Sequence, residues 1–160
     1  MATVESKHWR GVLIDPLTES FEQVQIIKKG DYWARIRALI GYTETELMTA
    51  PGREHVFIVD GNALLKDDAN ERGFFRPSLY PDPICGKTLL MGLTVPEGDF
   101  SDCTMPMQLV QQVVSFPKVR FVGMTSTMSV EEHPIFGQMT VQRNEAHFEA
   151  IPVGATGRTQ

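Results

Sequence analysis

Hydrophobic positions along the chain fall mostly into short strand-like runs, with helical spacing in only two places. His8-Trp9-Arg10-Gly11-Val12-Leu13-Ile14 stops at Asp15-Pro16, and beyond that turn-forming pair Val24 and Ile26 alternate with Gln23 and Gln25. This predicts two strands that could form a hairpin. Tyr32 to Ile40 places apolar residues at Trp33, Ile36 and Ile40 between an acidic start at Asp31 and a glycine stop at Gly41, which predicts a helix. Residues 45–49 and 55–59 read as strands, the second carrying the fully apolar run Val56-Phe57-Ile58-Val59. Asp60-Gly61 follows at once and Ala63-Leu64-Leu65 comes next, a pattern that predicts a tight hairpin. From Asp67 to Pro83, Gly73, Pro77, Pro81 and Pro83 interrupt any regular element and predict a loop. Thr88 to Val95 reads as a buried strand ended at Pro96. A second helix is predicted from Thr104 or Met105 to Ser115, with Pro106 in its first turn, Met107, Val110, Val113 and Val114 facing inward, and Pro117 beyond it. Val119 to Val122 is a further strand, and residues 137–153 hold one or two more.

Strands and helices in separate runs predict an α+β fold: one domain with a mainly antiparallel β-sheet and two short helices. Its expected divisions are a core over residues 1–122, a β-rich extension over 123–153 and a flexible tail over 154–160. A chain of 160 residues with 42% hydrophobic and 22% charged residues has ordinary globular composition. The net charge of −5 removes any general attraction to long nucleic acids or anionic membranes. No apolar stretch is long enough to span a bilayer as a helix, and Met1 to His8 lacks the basic start and apolar centre of a signal peptide, so the expected location is the cytoplasm.

Tests for chemistry narrow the choice. Cys85-Gly86-Lys87-Thr88 resembles the end of a phosphate-binding loop, but Pro81 stands where the first glycine of that loop belongs. Glu131-Glu132-His133 and His147-Phe148-Glu149 place imidazole beside carboxylate without the spacing of a metal site. Cys85 and Cys103 form no paired motif and are expected as reduced thiols. The expectation is therefore a protein with no catalytic residues, metal or cofactor. The most suggestive constellation is Arg72, Phe74, Phe75, Arg76 and Tyr80, with Lys87 beyond. Guanidinium groups can grip phosphate while aromatic rings stack on a base; the alternative is that the two phenylalanines anchor the loop and the arginines face water.

Gly11-Val12-Leu13-Ile14-Asp15-Pro16, Val24-x-Ile26, Leu39-Ile40-Gly41, Val59-Asp60-Gly61-Asn62-Ala63-Leu64-Leu65-Lys66, Phe74-Phe75, Gly86-Lys87-Thr88-Leu89-Leu90-Met91-Gly92 and Val119-Arg120-Phe121 occur in this order. In that order the chain resembles a loose group of small uncharacterised proteins of bacteriophages and mobile elements, over residues 9–122. The resemblance implies an accessory protein acting in a bacterial host's cytoplasm. The expected function is noncatalytic: binding, and sequestering, a small nucleotide-like host signal, as in evasion of immunity. The alternative is a module that docks on a host protein or forms an oligomeric assembly, and a small metal-dependent hydrolase stands third. Met124, Met128, Phe136 and Met139, outside the resemblance, could pack a homo-oligomer interface or a core.

Overall fold

A computed structural model describes residues 5–42, 44–51, 54–94 and 97–152. The expected strand end at Val95-Pro96 and the tail 154–160 lie outside these residues. The strands are β1 (His8–Asp15), β2 (Ser20–Ile27), β3 (Thr45–Thr49), β4 (His55–Asp60), β5 (Phe74–Pro77), β6 (Ile84–Cys85), β7 (Thr88–Leu93), β8 (Phe100–Ser101), β9 (Val114–Ser115), β10 (Val119–His133) and β11 (Gly137–Ala150). The two α-helices among the described residues are α1 (Tyr32–Ile40) and α2 (Met107–Val113). The protein is thus mainly antiparallel β-sheet, and among the described residues no helix is long and apolar enough to cross a membrane. Close packing divides the chain into two units, Met1–Pro117 and Lys118–Gln160.

In the first unit the main sheet has the order β2-β1-β7-β4-β3, with β8 added beside the end of β7, and every pairing is antiparallel. Both faces of its centre are covered, which explains why β4 is buried at every position. Phe57 and Val59 join Val12, Ile14, Leu90, Phe75, Val110 and Val114 on the face that carries α2. Val56 and Ile58 join Ile26, Leu89, Met91, Ile36 and Ile40 on the face that carries α1. The α1 helix begins where Asp31 Oδ1 accepts the Ala34 N–H at 3.0 Å, and it stops where Gly41 turns left-handed at φ 81°. The α2 helix is shorter than its apolar spacing suggested. It ends at Val113 because Val114 and Ser115 turn extended to pair with Pro77 and Arg76.

Two expectations are overturned between Asp60 and Pro83. Asp60-Gly61 does not close a hairpin: β4 pairs with β3 and β7, and the chain continues into short 3-10 turns at Ala63–Leu65 and Ala69–Glu71. The Asp60 carboxylate causes this, because it accepts the Asn62 N–H at 2.9 Å and draws Lys66 and Arg72 to itself. The expected loop contains real strand as well. Phe74-Phe75 pairs with Cys85-Ile84, and Arg76-Pro77 with Ser115-Val114, in a small sheet of order β6-β5-β9.

The described residues of the second unit form one hairpin, with β10 and β11 paired from Val119/Ala150 to His133/Gly137 and a bulge between Phe121 and Gly123. The expected strand at 119–122 is only the start of β10, and residues 137–150 form one strand.

Candidate functional site

The loop residues singled out by sequence separate into three environments. Phe74 and Phe75 are buried, with Phe75 centred 5.8 Å from Phe57, so their rings fill the core and offer no open stacking face. Arg72 is held within the fold. Its NH1 lies 2.8 Å from Asp60 Oδ2, its NH2 3.0 Å from Asp68 Oδ1, and its guanidinium 4.2 Å from the centre of the Tyr42 ring. Arg76 is exposed, while Lys87 and Tyr80 are half-buried, the Tyr80 hydroxyl donating to the Thr49 carbonyl. Three positions of the six, Arg76, Tyr80 and Lys87, therefore keep surface that a ligand could touch.

Around Arg72 the charges balance locally. Burial opposes ionisation of Asp60, but hydrogen bonds from Lys66, Asn62 and Arg72 outweigh it and hold the carboxyl below its ordinary range. For Arg72 burial likewise opposes the charge, and the hydrogen bonds to Asp68 and Asp60 overcome it, so the guanidinium is held more firmly protonated than usual. Gly86 sits against this group with φ 88°, and a Cβ there would run into the Tyr42 hydroxyl. Thr88 then opens a strand where a phosphate-binding loop would open a helix. The segment is a structural clasp between β4, the 3-10 turns and β7.

Burial pushes the Cys85 thiol up to about 11, and its Sγ donates to the Ala69 carbonyl at 3.3 Å. With iodoacetamide at mildly alkaline pH, half-buried Cys103 is expected to be alkylated first, and Cys85 to react only on unfolding; peptide mass mapping checks this order. The two histidine motifs are also placed. His133 Nδ1 accepts the N–H groups of Ile135 and Phe136 at 3.1 and 3.3 Å, and His147 Nε2 meets Thr125 Oγ1 at 2.7 Å. Among the described residues no group of three or more His, Cys, Asp or Glu side chains could hold a metal ion.

The hairpin carries the most unusual surface. In an antiparallel pair, residues directly opposite share a face, so the register assigns every side chain. One face holds Val119, Phe121, Met124, Ser126, Met128 and Val130 on β10, facing Ala150, Phe148, Ala146, Asn144, Gln142 and Thr140 on β11. It carries no charge until Glu132 near the turn. The other face holds Arg120, Glu149, Glu145, Arg143 and Glu131. Hydrogen bonding follows the same division. Gln142 Nε2 donates to Ser126 Oγ at 3.2 Å on the first face, and Arg143 pairs with Glu131 at 2.6 Å on the second. The apolar side chains stand open: Met128 is 71% and Val130 67% exposed, and at the turn Ile135 and Phe136 reach 80% and 71%. Of the four residues expected at an interface or core, the register places Met124 and Met128 on the first face with Val130 and Phe121, Phe136 in the turn, and Met139 on the charged face.

Compared with protein families, with curated proteins and with solved structures, the chain gives no match.

Proposed function

We propose that this chain is a noncatalytic binding protein whose working form is a homo-oligomer, assembled by packing the uncharged face of the β10–β11 hairpin against that of a second copy. The observation that carries this reading is the division of the hairpin into an uncharged, partly apolar face and a charged one. A two-stranded hairpin is marginal in water by itself, and one that leaves methionine, valine and phenylalanine open gains by covering them. Like faces can meet without like-charge repulsion, because neither contributes an ion along its central positions.

Size sharpens the proposal. Strands of this length present a face of roughly 45 Å by 10 Å, about 450 Å² in plan, against about 800 Å² per partner in a standard interface. Corrugation of the side chains adds to the plan area, and an interface that takes in the exposed Ile135 and Phe136 at the turn comes closer to the standard size. The interface therefore includes the turn. In the bacteriophage setting that the sequence resemblance implies, such an oligomer would act by holding a host molecule. A small nucleotide-like ligand would depend on Arg76, Tyr80 and Lys87.

Sedimentation of the full chain tests the assembly. The wild type is expected to sediment as an oligomer at tens of micromolar. Met128→Asp, which adds a charge at an exposed site on the uncharged face, is expected to give monomers with an unchanged circular-dichroism spectrum. Thr127→Asp, one residue away on the charged face, should leave the oligomer intact. A monomeric wild type, or equal effects of the two variants, overturns the proposal. On the same sample, loss of any nucleotide-induced rise in melting temperature with Arg76→Ala or Tyr80→Ala would identify the loop as a ligand site. No rise with any nucleotide tested removes that role.

A further inference from the structure

The first unit has a cavity whose described lining lies apart from the clasp. It measures about 690 Å³, within the range of small-molecule sites, and its apolar wall is built from Trp9 of β1, Tyr32 and Trp33 of α1, and Phe100 of β8. These rings brace one another mainly edge to face: Trp9 meets Tyr32 at 5.1 Å and 86°, Trp9 meets Phe100 at 5.7 Å and 76°, and Trp33 meets Phe100 at 5.4 Å and 67°. All four are half-buried, so part of each ring remains at the cavity. Edge-to-face contacts of this kind are a favoured geometry between aromatic rings, and they hold the four rings together at one wall.

The polar rim decides what such a wall can take. Among the described residues, Glu5, Glu97 and Asp99 line the cavity together with one cation, Lys28. Three carboxylates repel phosphate, and the ring faces themselves present negative potential. The protein already uses one of those faces for a cation, since Lys28 Nζ lies 5.8 Å from the centre of the Trp9 ring. Aromatic rings, excess carboxylate and a lysine held on one of the rings all favour a positively charged partner.

We propose that this cavity binds an organic cation bearing an alkylated ammonium group, held by Trp9, Tyr32, Trp33 and Phe100 and balanced by Glu97 and Asp99. Alkylation matters because the wall is apolar: methyl groups pack on the rings with little cost of desolvation, while a bare ammonium would give up strong hydration. Lys28 is then a built-in competitor that an incoming cation displaces from Trp9.

The chain has two tryptophans, Trp9 and Trp33, and both line the cavity, so intrinsic fluorescence reads the site directly. Titration of the full chain with choline at constant ionic strength is expected to give a saturable fluorescence change. The neutral isostere 3,3-dimethylbutan-1-ol should give none. Asp99→Asn, at an exposed position, should weaken choline several-fold, and Lys28→Met should tighten it. Trp33→Ala should weaken it about tenfold, read by the remaining tryptophan. Binding of a trimethyllysine peptide more tightly than choline would assign the cation to a protein side chain; the reverse order would assign it to a free metabolite. An absent or non-saturable response to both probes, an equal response to the neutral isostere, or weaker choline binding in Lys28→Met overturns the proposal.

Discussion

Asp60→Asn is expected to lower the unfolding free energy at neutral pH by about 3 kcal/mol, the low end for removing one charge from a buried pair. The Asp60 side chain is wholly buried, and Oδ2 lies 2.6 Å from Lys66 Nζ and 2.8 Å from Arg72 NH1. Asparagine keeps the turn bond to the Asn62 N–H but removes the charge that both cations face. Lys66 can swing toward water, which keeps the loss at the low end. Arg72 cannot leave cheaply, because it also pairs with Asp68 and stacks on Tyr42. In a chain of this size the melting temperature should fall by roughly 6–12 °C. The pH dependence follows from the direction of the shift. The folded carboxyl titrates below its unfolded value of about 3.9, so its contribution is complete above that value and is lost as pH falls through the folded one. Urea unfolding at pH 7 and near pH 3 should therefore give a wide gap between wild type and variant at pH 7 and a narrower gap in acid. A gap that is constant with pH would mean that packing, not charge, is what the substitution removes.

The failure of the hairpin expectation at Asp60-Gly61 has the same origin. Local sequence showed a turn glycine after an apolar strand, but the carboxylate's partners stand at Lys66 and Arg72, beyond the reach of any short-range pattern. What was legible was what the chain decides locally. The cap at Asp31, the stop at Gly41, the turn pair Asp15-Pro16 and the alternation beyond it at Val24 and Ile26 each involve neighbours in sequence, and each marks the right element. The run Val56-Phe57-Ile58-Val59 was legible too, because a strand covered on both faces has no polar alternation to preserve.

The two proposed sites were harder to see for different reasons. Thr125-Ser126-Thr127 and Ser129 are polar, so within the expected β-rich extension the sequence bounds no strand here, and it is the long register with β11 that defines it. Exposure on both faces removes the burial signal on which pattern reading depends. At the cavity, Trp9, Tyr32, Trp33 and Phe100 each resemble ordinary core residues where they stand. Their meeting is a product of topology, since β8 returns beside β7 and brings Phe100 to the same face of the sheet as α1. The motif from Arg72 to Tyr80 shows the converse. Alternating arginine and aromatic residues serve a core and a charged clasp as readily as they would serve a nucleotide.

The return of β8 passes close to one glycine, and Gly92→Val should strongly destabilise the first unit. Gly92 pairs with Ser101, and a Cβ placed on it would overlap the Asp102 carbonyl oxygen and the Ser101 hydroxyl, with the Asp102 carbonyl carbon at 2.9 Å. Backbone cannot rotate out of the way as a long side chain can. The strand must separate from β7, and with it go the bond from the Arg10 N–H to Asp102 Oδ1 at 2.8 Å and that from the Cys103 N–H to the Arg10 carbonyl at 2.7 Å. A loss of about 3 kcal/mol or more is expected, at or above the upper end for overpacking. Gly92→Ala provides the sharper comparison. Adding Ser101→Gly to it removes the hydroxyl but leaves the Asp102 carbonyl in place, so the pair should recover only a small part of the loss. Full recovery would show that the side chain alone sets the limit. Because Phe100 lies in the displaced strand, choline binding should fall in Gly92→Ala further than in Asp99→Asn, which couples the close approach of two backbones to the recognition of a cation.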